Sequence, residues 1–238
     1  MRCLLPVQRN RHLCLRRVVD AAFYACRAGC QWRKLPAGYP PWTAVYCYFH
    51  RWQRTGLWQQ LNTVVNALDR LAQGRGICPS LLCADSQSVR LAPRTHEHRG
   101  TDGGKQANGR KRQILVDTGG RLWAAHVHAA NQHGGAAGVA LLPHRPRRAW
   151  RLPGARTGKG YRGQFGRHLV ALGLRHELAS RPPAATGFVP VAKRWVVERT
   201  FAWLTGFRRL AIDYEYTPAS RATWLLLANM ALCLNRLG

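Results

Sequence analysis

Ten carboxylates stand against 37 lysines and arginines in this 238-residue chain, so every acid that could do chemistry can be named. They are Asp20, Asp69, Asp85, Glu97, Asp102, Asp117, Glu177, Glu198, Asp213 and Glu215. Glu198 lies alone in the stretch Lys193-Arg194-Trp195-Val196-Val197-Glu198-Arg199-Thr200-Phe201-Ala202-Trp203, an arginine-rich helix flanked by indoles. On a buried face, a glutamate there is costly unless it meets a cation, either an arginine or a metal ion. Asp85 closes the short apolar run Ser80–Ala84 and precedes Ser86-Gln87-Ser88. Two-metal phosphoryl transfer needs hard oxygen ligands from separate elements, converging on cations roughly 3.5–4 Å apart. Spacing alone favours the plainer alternative: a strand-end Asp, and a helical Glu paired with Arg194 or Arg199.

The charge balance narrows the partners. A formal net charge of +27 and a pI near 11.4 point first to DNA or RNA, because each phosphate neutralised releases counterions. The cations are mostly arginine, which forks onto phosphate oxygens and guanine edges better than lysine does. A hydrophobic content of 46% belongs to a folded chain with a sizeable core. Eight cysteines without paired CxxC spacing read as reduced, mostly buried thiols of a cytoplasmic protein. No apolar run approaches membrane-spanning length, so no membrane association is expected. His126, His128 and His133 share a hairpin region without a metal-ligand spacing.

The elements that must position these residues follow from periodicity. Val19, Ala22, Phe23 and Cys26 trace a helix over 16–27 that Gly29 stops. Val45, Tyr48, Phe49 and Trp52 predict a second helix, and Trp58, Leu61, Val64, Val65, Leu68 and Leu71 a third. Residues 1–75 thus form a helical unit rich in Arg and Trp, with Trp32, Trp42, Trp52 and Trp58 expected in its core. Residues 80–85 predict a strand ending at Asp85, and residues 90–110 a mobile basic loop. Thr118-Gly119-Gly120 joins two strands in a hairpin. Residues 131–160 lack pattern, Gln164–Leu172 is helical, and His176–Ser180 is strand-like. Thr217-Pro218 opens a final helix that is apolar nearly all round.

Six motifs in order extend this reading: Gly29-Cys30-Gln31-Trp32-Arg33, Pro40-Pro41-Trp42, Asp85-Ser86-Gln87-Ser88-Val89, Gly109-Arg110-Lys111-Arg112, Val116-Asp117-Thr118, and the block around Glu198. Together they resemble bacterial DDE transposases of the insertion-sequence-five family, from about residue 16 to the C-terminus. The resemblance implies an α/β fold, a ribonuclease-H-like mixed-sheet core over 80–238, closed by C-terminal helices. It also implies that the helical unit over 1–75 helps bind DNA. The implied activity is binding of terminal inverted repeats, then cleavage and strand transfer using Mg2+ or Mn2+. Asp85 matches the family's first catalytic Asp and Glu198 its catalytic Glu, both as metal ligands. Double-stranded DNA, target DNA and a homodimer or higher synaptic assembly are the implied partners, in a nucleoid-associated cytoplasmic setting.

The second catalytic Asp of that pattern lies three residues before a Tyr. Here Ala155-Arg156-Thr157-Gly158-Lys159-Gly160-Tyr161 keeps the Tyr and puts Gly158 at the Asp position, and no acid occurs between Asp117 and Glu177. Asp117 belongs to the hairpin turn and Glu177 follows the intervening helix, so neither is expected to substitute. A missing ligand carboxylate costs several kcal/mol of metal binding or transition-state stabilisation. The sequence therefore supports two expectations: a transposase, or a catalytically defective remnant that only binds DNA. For phosphate contact, Arg110, Lys111 and Arg112 are expected in a basic loop, with Arg194 and Arg199 beside Glu198.

Overall fold

The computed structural model describes residues 13–93, 95, 97–142, 154–179 and 195–238. Three helices come first: α1 (Leu15–Ala28), α2 (Trp42–Arg54) and α3 (Leu57–Ala72). Gly29 ends α1 with φ 69°, a left-handed cap whose N–H reaches the Ala25 carbonyl, as its position in the sequence predicts. Six strands follow: β1 (Leu81–Arg90), β2 (Gly100–Asp102), β3 (Ala107–Asp117), β4 (Leu122–Ala129), β5 (Gly154–Thr157) and β6 (Arg175–Leu178). The short helix α4 (Gly134–Ala137) follows β4, and α5 (Gln164–Ala171) connects β5 to β6. The chain closes with α6 (Trp195–Thr205) and α7 (Pro218–Leu234), the latter capped by the Thr217 hydroxyl with Pro218 in its first turn.

One mixed sheet runs β2-β3-β1-β5-β6, with β4 paired on β3. The β1–β3 and β3–β4 pairs are antiparallel, while β1–β5 and β5–β6 are parallel. This is the α/β, ribonuclease-H-like architecture: a mixed sheet with helices packed around it. Side-chain alternation divides its two faces. Cys83, Ile114 and Val116 join the cluster formed by α1, α2, α3, α6 and α7. Leu82, Ala84, Leu115 and Ala155 join the other, with Phe165 and Leu169 of α5.

Several expectations change in detail. The segment 90–110 is not a loop throughout, because β2 and the first residues of β3 form a ladder there, Gly100 opposite Gly109. β1 does not end at Asp85 but continues to Arg90, since β3 is long enough to pair with it throughout. A short strand, β5, lies in the patternless stretch. On α3, Trp58, Leu61 and Val65 are buried as expected, but the core-facing side also carries a polar ridge of buried Asn62, Asn66 and Asp69, whereas Leu68 and Leu71 are about half exposed. Trp52 and Trp58 are buried as expected, while Trp32 and Trp42 are only partly covered. Among the described cysteines, Cys26, Cys83 and Cys233 are buried but Cys14 and Cys47 are exposed, and all are free thiols. No described helix is long and apolar enough to cross a membrane.

The polar ridge of α3 explains how the N-terminal helices attach. Asn62 and Asn66 both donate to the Leu122 carbonyl at 2.7 Å, and Asn229 of α7 donates to both asparagines. Beside them, fully buried Arg121 bonds Asp69 at 2.7 Å and Asp117 at 3.3 Å. Arg70 reaches Asp117 and Arg236 reaches Asp69. The helices of residues 15–72 therefore share one core and one ion network with the sheet and α7. Burial pushes the Asp69 carboxyl up, but its bonds to Arg236 and Arg121 outweigh that and hold its pKa below the ordinary value.

Two predictions follow from these buried groups. Replacing Arg121 with Met leaves Asp69 and Asp117 short of a cation and should cost about 3–5 kcal/mol in urea unfolding. A loss of less than about 1 kcal/mol would show that the network is not the clamp. His128, on β4, has the geometry of a neutral ring: its Nδ1 lies 2.8 Å from the Ala129 carbonyl and its Nε2 3.0 Å from the Gln113 amide nitrogen. Burial is the main cause lowering its pKa to about 4. A depressed folded pKa means stability that is present above the unfolded value, near 6.5, and lost as pH falls toward 4. The melting temperature should fall across that window, and His128→Gln should flatten this part of the profile; an unchanged slope in the variant refutes the assignment.

Candidate active site

β1 outlasts its parallel neighbour, and that mismatch creates the site. The β1–β5 ladder closes on Ala84 opposite Thr157. The residues that follow are Asp85, still within β1, and Gly158, just past the end of β5, and both border one cavity. By alternation along β1, Asp85 takes the direction of Cys83, toward the face of the sheet on which α6 packs. A Cβ at Gly158 would meet nothing within 4 Å, and its φ is not positive. The position expected to carry the second carboxylate is thus beside the first, and it is open.

Where β5 stops, a cavity of about 450 Å3 forms, bordered by Asp85, Ser86, Asp102, Lys111, Gly158 and Tyr161. Asp85 accepts the Ser86 backbone N–H at 2.8 Å. Tyr161 is buried, which raises its hydroxyl pKa above the ordinary value, and the charge of Asp85 adds to that. Asp102 accepts from the Ser88 hydroxyl and pairs with Lys111 at 3.5 Å; the Ser88 bond is the main cause lowering its pKa. Asp102, one of the ten acids, belongs to no motif of the sequence; β2 is only three residues long, and its pairing brings Asp102 over Ser88 from a separate segment.

Glu198 is exposed on α6, so the expectation of a glutamate on a buried face is corrected: there is no burial penalty for a cation to relieve. The buried face of α6 is Val196, Val197, Thr200, Phe201 and Leu204 instead. Phe201, one turn after Glu198, lies under the Arg112 guanidinium at 5.5 Å. Glu198 does not border the cavity that Asp85 shares with Gly158.

The basic residues separate sharply. Arg110 and Arg112 are not loop residues; they lie within β3, 1% and 2% exposed. Their side chains point under α6 and the segment after it: Arg110 bonds Asp213 and the carbonyls of Glu97, Glu215 and Tyr216, and Arg112 bonds Gln87 and the Leu210 carbonyl. Between them, Lys111 takes the opposite face by alternation and reaches the cavity. Arg199 is held between Trp195 and Trp203, 4.4 Å from each ring, and burial lowers its pKa. Arg194 lies outside the described residues.

Neither neighbouring acid substitutes for Gly158. Asp117 is buried in the ion network at the hairpin turn, and Glu177 is paired with Arg156 and Arg175. No group of three or more His, Cys, Asp or Glu that could hold a metal ion occurs among the described residues. The described donors therefore do not complete a two-metal site.

Comparison with known families agrees with this geometry. Residues 2–62 match the model of a family of IS4/5-type transposase sequences (DUF4096), and residues 76–235 match the Transposase DDE domain. No curated protein and no solved structure matches the chain. Since the second match spans most of the chain, including β1 with Asp85, the Gly158 position and α6, the protein belongs to the DDE transposases of the IS4/5 type.

Proposed function

We propose that this protein binds the ends of its transposon as a DDE transposase whose own DNA cleavage is crippled at Gly158. The observation that carries the reading is that Gly158 follows the last β5 residue paired to β1, borders the same cavity as Asp85, and has open space where a side chain would stand. A carboxylate pair belongs there if Mg2+ or Mn2+ is to organise phosphoryl transfer, and one member is a hydrogen atom. Asp85 and Glu198 remain the metal-ligand positions of the family pattern, and they leave the donor set one carboxylate short.

DNA binding rests on different features, which the missing ligand leaves intact. The net charge is +27, four of the ten acids are buried, and the buried acids are matched by arginines inside the fold. Four buried acids against five buried arginines leave the solvent-facing surface with nearly all of that positive charge. Lys111 at the cavity and Arg199 on α6 are the proposed phosphate contacts, with Arg194 proposed from its place in the sequence alone. The duplex partners are the terminal inverted repeats and target DNA, engaged by a homodimer or larger synaptic assembly in the nucleoid.

Full strand-transfer activity would require a replacement carboxylate. Asp102 borders the cavity, but it is bonded to Ser88 and Lys111 on the face of the sheet opposite to the one Asp85 takes by alternation.

Restoring the ligand is sterically free. Gly158→Asp should raise Mg2+- or Mn2+-dependent nicking of inverted-repeat DNA by about a hundredfold or more, since a ligand carboxylate is worth several kcal/mol. Adding Asp85→Asn to that variant should remove the gain. Robust cleavage and joining by the unaltered chain would overturn the proposal, and so would a restored variant that binds metal and DNA yet stays inert.

A further inference from the structure

The segment after α6 alternates strictly: Asp213 and Glu215 are buried, while Ile212, Tyr214 and Tyr216 are 41%, 60% and 74% exposed. Such exposure of three large side chains on one short segment is not explained by the core, and neither tyrosine makes a ring contact among the described residues. The segment is also held firmly. Asp213 exchanges backbone hydrogen bonds with Arg90 and Ala92 at 3.0 and 2.9 Å, extending the sheet beside the end of β1.

Beneath it lies a dense set of arginines. Arg110 donates to the Glu215 and Tyr216 carbonyls, both at 2.8 Å, and pairs with Asp213 at 3.3 Å. Arg221 donates to the Ile212 carbonyl at 3.2 Å, and Arg209 pairs with Glu215 at 2.9 Å. The backbone is thereby fixed from the inside, and the two phenol rings are presented outward.

We propose that Tyr214 and Tyr216 form a slot that takes one unpaired DNA base. Residues two apart on an extended chain stand about 6.6–6.8 Å from one another along the strand. A base stacked between two rings needs about 3.4 Å on each side, so the spacing suits a single base. Stacking on aromatic side chains is tolerant of sequence and suits a protein that grips DNA chiefly by charge. Arg90 and Arg99, both exposed, flank the segment and supply phosphate contacts.

A second copy of this chain is the other natural occupant of such a face. Two faces ringed by arginine on chains of +27 repel each other, whereas a polyanion is attracted. The slot rests on the DNA-end reading above and adds a position to it. β1 leads directly from Asp85 to Leu91, the partner of Asp213, a run of roughly 20 Å. At 3.4 Å per stacked nucleotide, the unpaired base lies about six nucleotides from the phosphate held near Asp85.

The test uses the full-length protein and two duplexes of identical sequence, one fully paired and one carrying a single unpaired 2-aminopurine. The unaltered protein should bind the second duplex about tenfold more tightly and quench its fluorescence on binding. Tyr214→Ala with Tyr216→Ala should bind both duplexes alike, at the affinity the unaltered protein shows for the paired one, with no quenching. Tyr214→Phe with Tyr216→Phe should keep the preference, because stacking needs the ring and not the hydroxyl. Thermal melting of the alanine variant should be unchanged, as both side chains are exposed. A preference that survives in the alanine variant overturns the slot, as does equal binding of both duplexes by the unaltered protein. A drop in sedimentation mass on alanine substitution overturns it in favour of a contact between copies. If the unaltered protein binds neither duplex, the DNA-end reading itself falls, which is a separate result from losing only the preference.

Discussion

Buried arginine–carboxylate pairing is the constraint on which the rest of this structure depends. Removing a charge from water costs several kcal/mol unless a partner and further hydrogen bonds replace the lost hydration. Here that condition is met twice. At one end of the sheet, Arg121, Arg70 and Arg236 meet Asp69 and Asp117, tying α3 to the β3–β4 hairpin and to the end of α7. At the other, Arg110, Arg209 and Arg221 meet Asp213 and Glu215, tying β3 to the segment between α6 and α7. Both networks join elements far apart in sequence, so they select one tertiary arrangement and leave competing packings with unpaired buried charge.

This use of the acids has a functional consequence. A chain with few carboxylates that buries four of them presents an outer surface dominated by cations. The same arginines that neutralise Asp213 and Glu215 fix the backbone that bears the exposed Tyr214 and Tyr216. Catalysis draws on a different resource. In the proposed function it needs carboxylates at the strand ends, and Gly158, at the cavity it shares with Asp85, is where one is missing. On that proposal DNA binding and DNA cleavage are separable, because they would depend on different residues with opposite charge.

Much of the scaffold was legible in the residues. The Gly29 stop, the Thr217-Pro218 start and the hairpin at Thr118-Gly119-Gly120 are local features, set by backbone geometry and capping, and the structure has each of them. The helical pattern of α3 was legible too, but not its orientation. Leu68 and Leu71 look like core residues by period alone; the structure turns Asn62, Asn66 and Asp69 inward because Leu122, Asn229 and Arg121 wait there with matching hydrogen-bond partners. In the same way Arg110 and Arg112 look like surface cations until β3 carries them beneath α6, where Asp213, Gln87 and backbone carbonyls satisfy them.

By itself the sequence determined the family, the Glu198 motif and the fact that Gly158 stands where a carboxylate is expected, since these depend on residue identity and order along the chain. Only the tertiary structure decided that Gly158 is next to Asp85 with open space around it, that Glu198 is exposed, and that Asp102 and Lys111 share the cavity. The physical reason is that strand register and the face a side chain takes are set by long-range pairing. A buried ion or a six-residue difference in strand length, as between β1 and β5, decides them, and neither is written in any local stretch of residues.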